Sequence, residues 1–410
     1  VNTADVVVVG AGPAGCAAAI ALADAGREVI VVDRATFPRD KCCGDGLTTS
    51  ALRHLDELGL DPATVASWYV VDDVVVRSPS GREISFPMPA GRGQFAAVAR
   101  RRELDAALVD LARRRGAVVH EGHALRDATV HHDAIELDVE GLDPLRARLA
   151  IGADGMWSPL RKALGLATPG YRGEWHAFRQ YFTGVGPRAA RELVVWFEPD
   201  LLPGYAWSFP LADGTANVGY GIVRGGHHEV GDMKQQWPEL LSRAHVREFL
   251  GPDAVAEGPH RAWPIPARVG NSALGGPRAL FVGDAAAVTD PMTGEGIGQA
   301  LETGLLAARA AIAHRDPTAA VDAYTRAVHT ALAADHRMSR TLMRALAHRR
   351  SAEAALRIAG ATDWTRRNFA RWLFEDYPRA AVLTPRRWHR EMFTGPGAFR
   401  PVDAEARAGA

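Results

Sequence analysis

Three stretches of this chain combine chemically capable side chains with a spacing that could bring them together. In Lys41–Thr48, "KCCGDGLT", two adjacent thiols lie between a lysine and an aspartate in a glycine-bearing loop. A thiol there can act as nucleophile, ligand or proton donor, and its ionisation decides which. In Gly204–Gly221, "GYAWSFPLADGTANVGYG", the aromatic residues Tyr205, Trp207 and Phe209 alternate. On a strand their rings would share one face, making either a wall for a flat or elongated apolar ligand or ordinary sheet core. The third stretch, "GAGPAG" at Gly10–Gly15, contributes backbone rather than side chains.

These residues need elements to hold them. The apolar run Val6–Val9 reads as a buried parallel strand, and the glycines follow it directly. Gly10 permits a tight turn, Gly12 lets the backbone approach a pyrophosphate, and Gly15 permits close helix packing. Pro13 and Ala14 open a small-faced helix, running to Ala25, whose N-terminus faces the phosphates. Cys16 on that helix reads as a small packed residue. A second strand, Glu28–Val32, delivers Asp33 about 20 residues beyond Gly10, placed to accept ribose hydroxyls, with Arg34 beside it. NAD and FAD share this fingerprint, so later segments must decide. "IGADGMWSPLR" ends a strand at Asp154 and Gly155. "RALFVGDAAAVTDPMTGEGIGQALETG" carries the strand Ala279–Val282, then Gly283 and Asp284, then a loop through Pro291, Gly294 and Gly296 into a helix at Ile297. Asp284 could accept ribityl hydroxyls, and the amides of 294–298 could receive phosphate or the polar edge of a flavin.

On these motifs, residues 4–330 resemble the flavoprotein group that contains aromatic hydroxylases, flavin halogenases and geranylgeranyl reductases. The resemblance implies FAD, with Gly10–Gly15 on its ADP part, Asp154 and Gly155 bracing it, and Gly283 and Asp284 reaching the ribityl chain and ring. It also selects Arg101 in "RRRELDAAL", with Arg100 the near alternative, as a phosphate partner. The other reading of that arginine is the solvated face of an amphipathic helix.

Within the group the chain resembles the geranylgeranyl reductase-like FAD-dependent oxidoreductases. Tyr205, Trp207, Phe209 and Pro210, then Gly219 and Gly221, follow that family's aromatic segment. Lys41, Cys43, Gly44, Asp45, Gly46 and Leu47 follow its cysteine loop, with Cys42 where proline is common. This implies reduction of an isoprenoid C=C bond on a lipid, quinone or natural product. Flavin N5 would give hydride, and Cys43 or water beside it would protonate the other carbon, next to Tyr205 and Trp207. Cys43 must then stay a thiol, whereas a nearby Lys41 would favour thiolate; the alternative is loop packing beside FAD. The halogenase pattern fits less well. Monooxygenation of a small aromatic natural product is the alternative activity, because its oxygen chemistry belongs to the cofactor and leaves little trace in side chains. A nonenzymatic flavin-binding role is a further alternative. No second complete glycine fingerprint follows, since Val218–Gly226 lacks the strand-turn-helix order. NAD(P)H must then bind transiently, or a separate ferredoxin or flavin reductase must supply electrons.

The expected fold is α/β: a Rossmann-like FAD-binding domain of the aromatic hydroxylase type, an inserted mixed or antiparallel β-sheet substrate domain and a helical C-terminal region. The FAD domain would be discontinuous, 1–65, 91–170 and 271–330; the sheet domain takes 66–90 and 171–270, and the helical region 331–410. A hydrophobic fraction of 47% over 410 residues supports such a core. Acidic and basic residues balance at 48 each, which argues against nucleic acid. Three cysteines cannot form a disulfide framework, and the opening "ADVVVVG" lacks a basic leader, so a cytoplasmic protein is expected. In the tail, Trp364, Phe369, Trp372 and Leu373 form a stripe near Phe374 and Tyr377. That stripe packs on the sheet domain or skims the inner membrane face, with Arg366, Arg367 and Arg371 solvating the other side. Residues 385–410 read as turn-rich and irregular at the end. His176, His227, His228 and His260 form no metal pattern, and nothing fixes an oligomeric state.

Overall fold

The computed structural model describes residues 2–381, 384–388 and 392–400. Its first sheet has eight strands, six of them in the order Gly275–Gly276, Ala279–Phe281, Leu145–Gly152, Asn2–Val9, Val29–Asp33 and Val118–Glu121. The four central pairings on this path, from Ala279–Phe281 to Val118–Glu121, are parallel. Val6–Val9 are buried throughout because helices cover the sheet, which is why the run shows no polar alternation. The helix Pro13–Asp24 packs against Ile297–Ala313 and Arg101–Arg114. Gly304 lets Ile297–Ala313 sit so close, since a Cβ there would fall 2.2 Å from the Ala14 carbonyl oxygen, while Gly15, whose Cβ would fall 1.9 Å from that of Gly10, brings the helix start onto the preceding turn.

The inserted sheet has seven strands, ordered Val255–Ile265, Trp175–Thr183, Ala216–Val223, Tyr205–Pro210, Leu193–Trp196, Asp73–Arg77 and Glu83–Pro87. It is mixed, because Leu193–Trp196 runs parallel to Asp73–Arg77 while the other pairs are antiparallel. One face buries Phe178, Trp196 and Tyr220 under Trp237 and Phe249 of the helices Met233–Ser242 and Ala244–Leu250. A three-stranded patch, Gly46–Leu47, Ala97–Val98 and Tyr69–Val70, ties the cysteine loop into the rest.

The tail departs from expectation in two places. A single helix, Pro317–Leu346, runs through the anticipated boundary at 330. Tyr324, Val328 and Leu332 pack it on the first core, and the Tyr324 hydroxyl donates to the Phe281 carbonyl at 2.6 Å. Arg371 is not solvated: it is buried and paired with Asp376, an acid beyond the helix end that a helical periodicity cannot reveal. The apolar stripe divides. Phe369, Leu373 and Phe374 pack beside Phe86, with the Phe86 and Phe369 rings 4.7 Å apart, whereas Trp364 is 67% exposed. The end assigned to irregular chain, 401–410, lies outside the described residues. No described helix is long and apolar enough to cross a membrane.

Candidate active site

A cavity of about 940 Å³ gathers residues from both large sheets, at the upper end of the volumes typical of ligand sites. Gly10, with φ +104°, makes the turn at its edge; a Cβ there would meet the Ala153 carbonyl oxygen at 2.3 Å. Tyr205, Trp207 and Phe209 alternate as expected and all three line the cavity, with successive ring centroids 5.9 and 6.1 Å apart. The cysteine loop lies against this wall, since Cβ atoms on Gly44 and Gly46 would come within 3.4 and 3.3 Å of the Phe209 ring.

Of the residues expected at the cofactor, Gly12, Pro13, Ala14, Asp33, Arg34, Cys43, Gly44, Arg101, Asp154, Gly155, Gly283, Asp284, Gly294, Gly296 and Ile297 line the cavity with Gly10. Two do not. Gly15 is spent on the turn–helix contact, and Pro291 is turned away, its carbonyl accepting the Trp175 Nε1–H at 2.8 Å.

Arg101 reaches the cavity already neutralised, its Nε and Nη2 each donating to Asp105 at 2.8 Å. Arg39 shares that acid at 3.0 Å and lies 3.6 Å from where a Gly12 Cβ would stand. Sequence reasoning passed over Arg39, a single loop arginine, yet it is the cation next to the fingerprint. Arg100 points elsewhere, to Glu257 and Thr215, both at 2.9 Å. Burial pushes the Cys43 thiol up to about 11, with Arg101 opposing, so it is a thiol at neutral pH. Lys41 is engaged on its other side, 3.7 Å from Asp284 and 3.9 Å from the Trp263 ring centroid.

Two further acids were given no role of their own by the motifs that contain them. Asp45, fully buried at φ +67°, accepts from the Tyr181 hydroxyl at 2.5 Å, Asn217 Nδ2 at 2.8 Å and the Arg101 amide at 3.3 Å. Burial raises its pKa, opposed first by Arg179. Asn217 also donates to the Cys43 carbonyl at 2.9 Å and accepts the Trp207 Nε1–H at 3.1 Å, so one amide joins loop and aromatic wall. Glu295 sits in the "GEG" quoted above for its glycines. It lines the cavity with no side-chain partner for its carboxyl, and burial, reinforced by Glu375 and opposed by Arg379, pushes it up to about 8.

The donor set fits FAD. Asp154 Oδ1 is buried without a partner, while Oδ2 accepts the Leu160 amide at 2.9 Å. Burial raises Asp154 to about 6. Asp33 is braced by the amides of Ala11 and Ala35 at 2.7 and 2.8 Å and still lines the cavity, where it can accept ribose hydroxyls. Among the described residues no group of histidine, cysteine and acidic side chains could hold a metal.

A family model described as "FAD binding domain" matches residues 3–336. A menaquinone reductase from Mycolicibacterium smegmatis is 36% identical over 327 residues, which are 74% of this chain and 75% of that protein. Digeranylgeranylglycerophospholipid reductase 2 from Methanopyrus kandleri is 34% identical over 321 residues, 75% and 76% of the two chains. In fold, the chain is similar to a geranylgeranyl bacteriochlorophyll reductase-like protein from Thermoplasma acidophilum. That likeness has a TM-score of 0.79 and 21% identity, covering 94% of this chain and all of the other.

Proposed function

The chain belongs to the FAD-binding-domain family and is an FAD-dependent oxidoreductase, and from that premise we propose that it reduces a C=C bond in the isoprenoid part of a lipid, quinone or natural product. The observation carrying this reading is the aromatic wall over a loop whose thiol is un-ionised: Tyr205, Trp207 and Phe209 beside Cys43. Such a wall suits an apolar chain, and acids that keep their protons suit saturation of an alkene.

FAD, when bound and reduced, supplies the hydride. The Gly10–Gly12 turn, Arg39 and Asp33 would hold its nucleotide part, while Lys41, Asp284 and the 294–297 loop would meet the ribityl chain and ring. The Asp45, Tyr181 and Asn217 bonds fix the loop so that Cys43 stays at the wall. Tyr205 donates to the Thr293 carbonyl, coupling the wall to the 290–296 loop. Electrons would come from NAD(P)H bound transiently or from a donor protein such as ferredoxin or a flavin reductase. The substrate would be taken from the inner membrane face or delivered in solution.

The test is anaerobic single turnover. Protein reduced by dithionite is mixed with menaquinone or a geranylgeranyl lipid, followed by flavin absorbance and mass spectrometry. Flavin oxidation with a product two hydrogens heavier is expected. No reaction anaerobically, but hydroxylation of an aromatic compound under oxygen, would replace this reading by monooxygenation.

A further inference from the structure

Glu295 lines the cavity, and its carboxyl has no side-chain hydrogen-bond partner among the described residues, only the neighbouring Gly296 amide. Its Oε1 lies 3.5 Å from where a Cβ on Gly46 would stand, and that same Cβ position is 3.3 Å from the Phe209 ring. Glu295 therefore meets the cysteine loop on the same side as the aromatic wall, near enough to both Cys43 and Tyr205 to disfavour their ionisation. A half-buried carboxyl held by one neighbouring amide and no cation of its own is costlier as an anion than as a neutral acid.

The groups around it reinforce this. From the tail, Glu375 lies behind it, its Oε2 accepting from Thr48 Oγ1 at 3.1 Å and its Oε1 from Gln299 Nε2 at 2.8 Å. Arg379 is the nearest cation, but it is already divided between Asp290 at 3.2 Å and Glu375 at 3.3 Å. Asp290, on the same loop as Glu295, takes the Met292 and Thr293 amides and the Ser339 hydroxyl, so it too is occupied. Burial first, and Glu375 second, hold the Glu295 proton up to about 8, with Arg379 opposing.

We propose that Glu295 is the catalytic acid of the alkene reduction, a role that rests on the reductase reading above. The alkene takes up two electrons and one hydrogen as hydride supplied by reduced FAD, forming a C–H bond at one carbon. The Glu295 O–H bond breaks, and its proton forms the C–H bond at the other carbon. The resulting carboxylate recovers a proton from water entering the open cavity. Cys43, a weaker acid at about 11, then shapes the site instead of supplying the proton.

The experiment has two arms, both on full-length, FAD-loaded protein. In the first, infrared pH-difference spectra are recorded without substrate. A protonated-carboxyl C=O band that is lost as pH rises through about 8 is expected in the parent and absent in Glu295→Gln. If the parent has no such band, or Glu295→Gln keeps it, the assignment falls. In the second, single-turnover reduction of a geranylgeranyl lipid should slow about 100-fold or more in Glu295→Gln. The parent rate should fall as pH rises through the same range, because the donor must be protonated. Glu375→Gln removes the neighbouring anion and should move that limb to lower pH, a check that survives if Glu295→Gln loses flavin. Full turnover in Glu295→Gln, or an unmoved limb in Glu375→Gln, overturns the role of Glu295 alone. A band present in a parent that reduces no isoprenoid overturns the reductase reading and the catalytic role with it.

Discussion

Asn217→Leu tests whether one amide holds the cysteine loop to the aromatic wall. Asn217 is fully buried, and leucine is close to it in size, so the cavity contribution is small. Three bonds disappear: Nδ2 to Asp45 at 2.8 Å, Nδ2 to the Cys43 carbonyl at 2.9 Å, and Trp207 Nε1 to Oδ1 at 3.1 Å. Each leaves a buried group short of a partner at about 1–3 kcal/mol, more for the carboxylate. Because the three share one residue they do not simply add, and a total of about 3–6 kcal/mol follows. Urea unfolding of the flavin-free protein, read by tryptophan fluorescence, should give a lower midpoint at unchanged slope. Flavin affinity should fall in parallel as the loop loosens. Asn217→Asp adds a pH signature. A carboxylate against Asp45, whose pKa burial already raises, binds protons more tightly folded than unfolded. The variant's deficit against the parent should therefore be small near pH 4 and widen as pH rises. An unfolding free energy within about 1 kcal/mol of the parent for Asn217→Leu, with undiminished flavin content, would refute the reasoning.

Gly12→Val should separate binding from folding: its Cβ meets nothing closer than Arg39 at 3.6 Å, yet the methyl groups occupy the pyrophosphate approach, so flavin content should collapse while the unfolding midpoint changes little. Normal flavin content in that variant would overturn the phosphate assignment. Cys43→Ser should reduce alkene turnover more than flavin binding, and if Glu295 is the acid the loss should stay below that of Glu295→Gln in the same assay. Trp364 and Ile358, 67% and 70% exposed, should weaken co-sedimentation with anionic vesicles when both become serine; identical pelleting would remove the membrane-skimming role.

The nucleotide half of the site was legible because its information is local. Gly10, Asp33, Asp154 and Asp284 each stand at a strand end that the apolar runs announce, and all four line the cavity. The aromatic wall was legible for the same reason, since a period of two is enough to put Tyr205 and Trp207 on one face. What escaped was built from residues far apart in sequence. Asp45 was matched only as a position in the cysteine-loop pattern, and its partners Tyr181 and Asn217 arrive from two other strands. Glu295 was passed over because the glycines around it explained the loop. Arg371 was assigned to solvent from helix periodicity, which cannot anticipate an acid in the turn that follows. Pro291 belonged to the right loop, but its carbonyl turns to Trp175.

The segment 374–379 reaches back beneath the 290–296 loop: the Phe374 carbonyl accepts the Thr49 amide at 2.8 Å, and Arg379 is the buried counter-ion of Asp290. Removing one member of such a pair costs about 3–5 kcal/mol. During synthesis, Asp290 leaves the ribosome on the order of ten seconds or less before Arg379 is made. Through that interval the nascent chain carries a finished glycine turn and an unfastened 290–296 loop. If the 290–296 loop must be fastened to grip the cofactor, tight capture would follow translation past residue 379, and chains ending before it should retain less flavin.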